Sequence, residues 1–208
     1  MQNTSIFLIR HGDLENPAGT IYDGTISLSE LGRARMRALG HVLRESGVTP
    51  DAVVSSDFLR AMQSSEEIMS NYPNLNLSIE PDPRLQDPDS PDMFGKSLVW
   101  LAEIVDPYTH PDLADWRIER PPSFTARMVA AIKDAIDRHQ GKTIFVVSHG
   151  DPTAFAMWQL LNPGKPLPSL RELRKESSRV PYLENGEAWQ ILFDDQGNVL
   201  NHEHIANP

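Results

Sequence analysis

Two histidines of this chain occupy the same kind of position. His11 follows the apolar run Ile6, Phe7, Leu8, Ile9 and then Arg10, while His149 follows Ile144, Phe145, Val146, Val147 and then Ser148. Each is followed by a glycine. An unbroken apolar run that stops at polar residues and glycine reads as a buried strand ending in a loop. In open α/β sheets the crevice beyond the carboxyl ends of the strands is where ligands bind, so both imidazoles can face one crevice. Arg10 adjoins the first histidine, and Arg60 falls in the opening turns of a helix expected after the short strand 52–54. Guanidinium groups stay charged and match phosphate oxygens in bidentate geometry. Like charge beside an imidazole disfavours its protonated form, which lowers its pKa and leaves it nucleophilic. Attack on phosphorus would give a labile phosphoramidate that water can open. A second histidine can then supply positive charge or hydrogen bonds to the equatorial oxygens.

Each of these residues has a plainer reading when taken alone. A strand-end histidine is more often a hydrogen-bonded structural residue, and an arginine early in a helix usually lies on a solvated face. Asp151, followed by Pro152, reads as a helix N-cap. The chemistry is carried by the combination.

The surrounding elements follow from periodicity and punctuation. Ser29 can cap a helix with Leu31, Met36, Leu39 and Leu43 at helical spacing, stopped by Gly47. Residues 52–54 form a short strand, and Ser55 and Ser56 can cap the next helix, which contains Phe58, Leu59, Met62 and Ile68. Residues 75–79 alternate as a strand does. An apolar helical patch is expected over 94–104 and an amphipathic helix over 124–139, stopped by Gly141. Residues 143–147 form the clearest strand. Residues 189–193 and 199–204, joined through 194–198, read as a hairpin. Strands alternating with helices predict an α/β fold: a three-layer sandwich with a mostly parallel central sheet, helices on both faces, and a small insertion over the carboxyl edge of the strands. The chain of 208 residues suits one domain. Asp and Pro cluster from 86 to 92, marking residues 81–122 as a lid-like insertion too short to form a core of its own.

Composition sets further bounds. Hydrophobic residues make up 39% and charged residues 23%, an ordinary globular balance. The formal net charge is -10 and the isoelectric point about 5.1, which argues against nucleic acid and membrane surfaces as partners. With no cysteine, disulfides, thiolate zinc sites and cysteine nucleophiles are excluded. The first apolar run is too short for a signal peptide or a membrane span, and a cytoplasmic setting is expected. No His-rich cluster at metal-ligand spacing is present, so no metal and no cofactor is expected.

Four blocks resemble the histidine phosphatase superfamily, the phosphoglycerate mutase-like fold. They are Leu8-Ile9-Arg10-His11-Gly12, Ser27-Leu28-Ser29-Glu30-Leu31-Gly32, Ser55-Ser56-Asp57-Phe58-Leu59-Arg60-Ala61-Met62-Gln63-Ser64 and Val146-Val147-Ser148-His149-Gly150. They keep that family's order and spacing. The resemblance implies His11 as the phosphorylated nucleophile, with Arg10, Arg60 and His149 completing the phosphate pocket. Asn16 lies one residue before the family's phosphate-contacting asparagine. Asp87 stands where the family usually has a glutamate as proton donor; Asp89, Asp92 and Asp151 are rivals, and Asp87 also suits a turn before Pro88. The family's glycine-rich stretch after the acid is replaced by residues 89–97. The implied activity is metal-independent hydrolysis of a small phosphorylated metabolite. The alternatives are phosphoglycerate mutase-type transfer, or a non-catalytic phosphate-binding regulatory module.

Overall fold

A computed structural model describes residues 3–175 and 180–207. Six strands form one sheet: β1 (Thr4–Arg10), β2 (Ala52–Ser55), β3 (Ile79–Pro81), β4 (Thr143–Ser148), β5 (Ala188–Phe193) and β6 (Val199–Ile205). Their spatial order is β3-β2-β4-β1-β5-β6. The first four run parallel, β5 pairs antiparallel with β1, and β6 antiparallel with β5. The helices are α1 (Glu30–Glu45), α2 (Leu59–Met69), α3 (Leu98–Ile104), α4 (Pro121–Arg138), α5 (Gly150–Leu161) and α6 (Leu170–Leu173).

The strand period of two divides the core into two layers. Ile6 and Leu8 of β1 and Ile144 and Val146 of β4 pack against Met128 and Ile132 of α4 and Met157 of α5. The alternate residues Phe7, Ile9, Phe145 and Val147 pack on the other face with Met36 and Leu39 of α1 and Ile68 of α2. Central strands covered on both faces must be apolar throughout, which explains the continuous runs before both histidines. The expected three-layer α/β architecture is therefore observed.

Several element boundaries differ from expectation for identifiable reasons. Leu31 is 56% exposed; the buried stripe of α1 is Gly32, Met36, Leu39, Gly40 and Leu43, so glycines take the place that a leucine was expected to fill. The third strand lies at 79–81, later than 75–79. Its pairing partners, Val53 to Ser55 of β2, end level with the crevice, and Pro81 is tolerated because β3 is an edge strand. Leu75 and Leu77 instead pack as loop residues on the α1–α2 layer. Gly95, at φ 78°, turns the chain before α3, whose N-cap is Ser97 accepting from the Val99 N–H at 3.1 Å. The helix after β2 begins at Leu59 with Phe58 as N-cap. The helix after β4 begins at Gly150 with His149 as N-cap and Asp151 in its first turn.

The insertion runs over the carboxyl ends of the strands. Ser148 donates to the Leu85 carbonyl at 2.8 Å, tying its start to β4. It gathers a small apolar cluster, Met93, Leu113 and Ile118, against Trp100, Leu101 and Trp116, and closes it with Ile21 from the loop after β1. Backbone bonds from Gly95 N–H to the Ile21 carbonyl (2.8 Å) and from Leu98 N–H to the Gly19 carbonyl (2.8 Å) join the two segments. At its far end Val105 adopts φ 63° and ψ -51°, a strained turn for a β-branched residue. The buried Asp106 beyond it accepts from Tyr108 N–H and from Leu170 N–H of α6, both at 3.0 Å.

Candidate active site

The parallel register of β1 and β4 places Arg10 opposite Ser148. The next residues, His11 and His149, therefore leave the sheet side by side, and the His11 N–H donates to the Ser148 carbonyl at 3.0 Å. Their rings meet edge-on with centroids 5.1 Å apart, and both are buried. The His11 Nδ1 lies 2.8 Å from the Gly12 carbonyl. A carbonyl only accepts, so Nδ1 carries the proton and Nε2 the lone pair.

Arg60, in the first turn of α2, is 1% exposed and organises the pocket. Its Nε donates to His149 Nδ1 at 3.1 Å, its Nη1 to the Asp23 carbonyl at 3.0 Å, and its Nη2 to Asp87 Oδ2 at 3.0 Å. The rings of Phe58 and Tyr22 cover the guanidinium at 4.9 and 5.2 Å. Since Arg60 only donates, His149 Nδ1 accepts, and its Nε2 proton is directed to Ser56 Oγ at 2.9 Å. Both ring nitrogens of His149 are thus engaged by protein groups. Arg10 donates through Nη1 to the Leu183 carbonyl at 2.6 Å and stacks over Tyr182. Its buried Nε has no partner among the described residues.

Electrostatics follow from burial and these cations. Burial, then Arg60 and Arg10, hold the His11 pKa well below the ordinary histidine value. Burial, Arg60 and His11 do the same for His149. The desolvated charged form is penalised, and nearby like charge adds to the penalty. Asp87 moves the other way. Burial raises its pKa above the ordinary carboxylate value, Asp151 assists, and Arg60 and Arg10 oppose the rise. About a third of the Asp87 side chain is open, on a cavity of roughly 340 Å³ that Arg10, His11 and Arg60 also line.

The other candidate acids are placed differently. Asp92 pairs with Arg117, which lowers its pKa, and it does not line the cavity. Asp89 lines it. The Asp151 carboxylate accepts from Tyr108 Oη (2.7 Å), Tyr182 Oη (2.5 Å) and Arg174 Nη2 (3.0 Å). Asn16 donates to the Thr20 carbonyl at 2.9 Å and is not among the lining residues. Among the described residues no group of three or more His, Asp or Glu side chains converges as a metal site, and no helix is long and apolar enough to cross a membrane.

Several site residues carried no usable sequence signal. Arg127, on the polar side of α4, donates to the carbonyls of Arg84 (2.7 Å), Gln86 (2.8 Å) and Asp87 (3.1 Å), and pairs with Glu119 at 2.7 Å. It fixes the loop that presents Asp87. Tyr22, Tyr108, Arg174 and Tyr182 reach the cavity from four separate segments. Ser56 had a signal, but as a helix cap; its hydroxyl accepts weakly from the Phe58 N–H at 3.3 Å while also meeting His149.

Comparison with known proteins identifies the fold and the family. The chain is 25% identical over 150 residues to a broad-specificity phosphatase of Saccharomyces cerevisiae, a match spanning 70% of this chain and 65% of the yeast protein. The solved structure of YhfR from Bacillus stearothermophilus superposes with a TM-score of 0.76 at 25% identity, covering 98% of this chain and 96% of that one. A phosphoserine phosphatase of Entamoeba histolytica, solved in complex with phosphoserine, shares the fold at 18% identity with a TM-score of 0.70, covering 96% of each chain. The model of the histidine phosphatase superfamily (branch 1) matches residues 6–192, and the chain belongs to that superfamily.

Proposed function

We propose that this protein hydrolyses small phosphate monoesters through a phosphohistidine on His11. One observation carries the reading: a neutral imidazole with its lone pair on Nε2 stands beside the half-buried Arg10, whose Nε is buried and lacks a partner among the described residues. A phosphoryl oxygen supplies the acceptor that Arg10 lacks, since unpaired buried donors are costly. Arg60 offers its remaining N–H groups to a second oxygen, and His149 keeps that guanidinium aimed through its Nε.

In the first step the His11 Nε2–P bond forms as the P–O bond to the leaving group breaks. The Asp87 carboxyl, its pKa raised by burial, gives its proton to the departing oxygen. In the second step water attacks phosphorus, its proton passes to Asp87, and the N–P bond breaks to release phosphate and restore His11. The positioned arginines stabilise the charge of both transition states.

His11→Ala tests this directly. Turnover of an activated aryl phosphate should fall by about 10⁴-fold or more. Rapid acid-free quench of the wild-type enzyme with isotope-labelled ester should trap an acid-labile phosphoenzyme that the variant lacks. A variant that still traps the label would refute the nucleophile assignment.

A further inference from the structure

The phosphate end of the cavity and the wall that the insertion contributes differ in chemistry. Arg10, His11 and Arg60 sit at the strand ends. The insertion contributes Met93, Phe94, Leu98 and Leu101, and the loop after β1 adds Ile21 to that wall. Phe94 and Leu98 are left 45% and 38% exposed. Large apolar side chains held open on the wall of a cavity are more favourable when a ligand covers them.

Charge gives a second, independent indication. Beyond the two arginines of the phosphate end, the cation lining the cavity among the described residues is Arg174. That guanidinium is held to Asp151 at 3.0 Å and stacked on Tyr182. Asp23 and Asp89 also line the cavity. Hydrogen bonds from the Thr25 hydroxyl and N–H lower the Asp23 pKa, so it is ionised at neutral pH. A substrate carrying a second anionic group would bring that charge towards these carboxylates with no uncommitted cation among the described residues to receive it, and such mismatches select against a ligand.

We infer that the preferred substrates are monoesters of apolar, uncharged alcohols, with the leaving group seated on Met93, Phe94, Leu98 and Leu101. This rests on the phosphatase reading above and names its substrate class. Phe94 acts as the main specificity-determining residue, because it presents the most open apolar surface of that wall.

Three esters of primary alcohols separate the binding preference from leaving-group chemistry: benzyl phosphate, glycerol 3-phosphate and 3-phosphoglycerate. The kcat/KM for benzyl phosphate should exceed that for glycerol 3-phosphate by about tenfold or more, the scale of discrimination an apolar pocket provides. The excess over 3-phosphoglycerate should be larger still. Phe94→Ser should shrink the benzyl-to-glycerol ratio severalfold, while Phe94→Leu should keep most of it. Both substitutions are at an exposed position, and thermal unfolding would verify that each variant is folded. Equal or better use of 3-phosphoglycerate overturns the assignment and would point to Arg174 as a carboxylate receptor. A ratio unaffected by Phe94→Ser overturns it as well. Hydrolysis of none of the three, with no trapped phosphoenzyme, would instead defeat the phosphatase reading and this inference with it.

Discussion

On the proposed mechanism, Asp87 and the incoming phosphate compete for the same guanidinium. In the free pocket Asp87 Oδ2 lies 3.0 Å from Arg60 Nη2 and 3.7 Å from His149 Nδ1, and the arginine partly offsets the rise in its pKa. A phosphate dianion that engages Arg60 weakens this attraction and places negative charge beside the carboxylate, so the Asp87 pKa climbs further. In this proposal, substrate binding favours protonation of the acid that serves it. With benzyl phosphate, the alkaline limb attributable to Asp87 should lie at higher pH in kcat, which reports the complex, than in kcat/KM, which reports the free enzyme. The acid limb, set by protonation of His11, should lie below the ordinary histidine range because its pKa is lowered. Asp87→Asn should depress benzyl phosphate turnover by about 10²-fold or more and leave an activated aryl phosphate much less affected. An equal loss on both esters would remove Asp87 from the proton-donor role.

At the scale of elements, the loop that follows His11 owes its place to two glycines facing each other. A Cβ on Gly32 of α1 would stand 2.1 Å from the Asp13 carbonyl oxygen, and one on Gly12 would stand 2.7 Å from the Gly32 carbonyl oxygen. Both obstacles are backbone, so no side chain can move aside. The helix therefore rests directly on the loop that follows His11, with Ser29 N–H donating to the Asp13 carbonyl at 2.9 Å as a second tie. Alanine is the better helix former by about 1 kcal/mol, yet Gly32→Ala must force the helix and loop apart. Such overpacking costs about 1–3 kcal/mol. Denaturant unfolding should show the variant destabilised, with kcat reduced because His11 is displaced. An unchanged midpoint would mean that the two segments separate freely.

For the whole molecule, the site sets the acid stability. His11 and His149 are buried, and their folded-state pKa values lie below the ordinary value near 6.5. As pH falls through about 6.5 the unfolded chain binds protons at these positions that the folded chain excludes, so stability declines on acidification. Carboxylates held by arginines, such as Glu67 and Glu119, add their loss only below about 4.5. Asp87, with its raised pKa, contributes in the opposite sense, its share lost as pH rises. Unfolding free energy should therefore drop between about pH 6.5 and 5, ahead of the carboxylate range. Replacing both histidines with asparagine should flatten that window in urea titrations. A decline of the same slope in the double variant would assign it elsewhere.

The sequence by itself determined what short-range pattern can encode. Buried runs that end at Arg10-His11-Gly12 and Ser148-His149-Gly150, the Ser29 cap, Arg60 at a helix start and the 194–198 turn are local features, and each appears where its residues require it. Only the tertiary structure decided which distant polar groups meet. Inserting β4 between β2 and β1 brings residue 149 beside residue 11, and the same order lets Arg60 reach His149 and Asp87 together. Arg127 and Tyr182 have no periodic signal, because the contacts that bring Arg127 to the Arg84, Gln86 and Asp87 carbonyls and Tyr182 to Asp151 span 31 to 43 residues and are chosen by packing. Asp151, which the sequence offers both as a helix cap and as a rival acid, sits in the first turn of α5 with two tyrosines and Arg174 converging on it. The strand ends could be read because backbone and solvent fix them locally. The pairing of charges could not, because in a buried pocket it depends on every group that the fold delivers there.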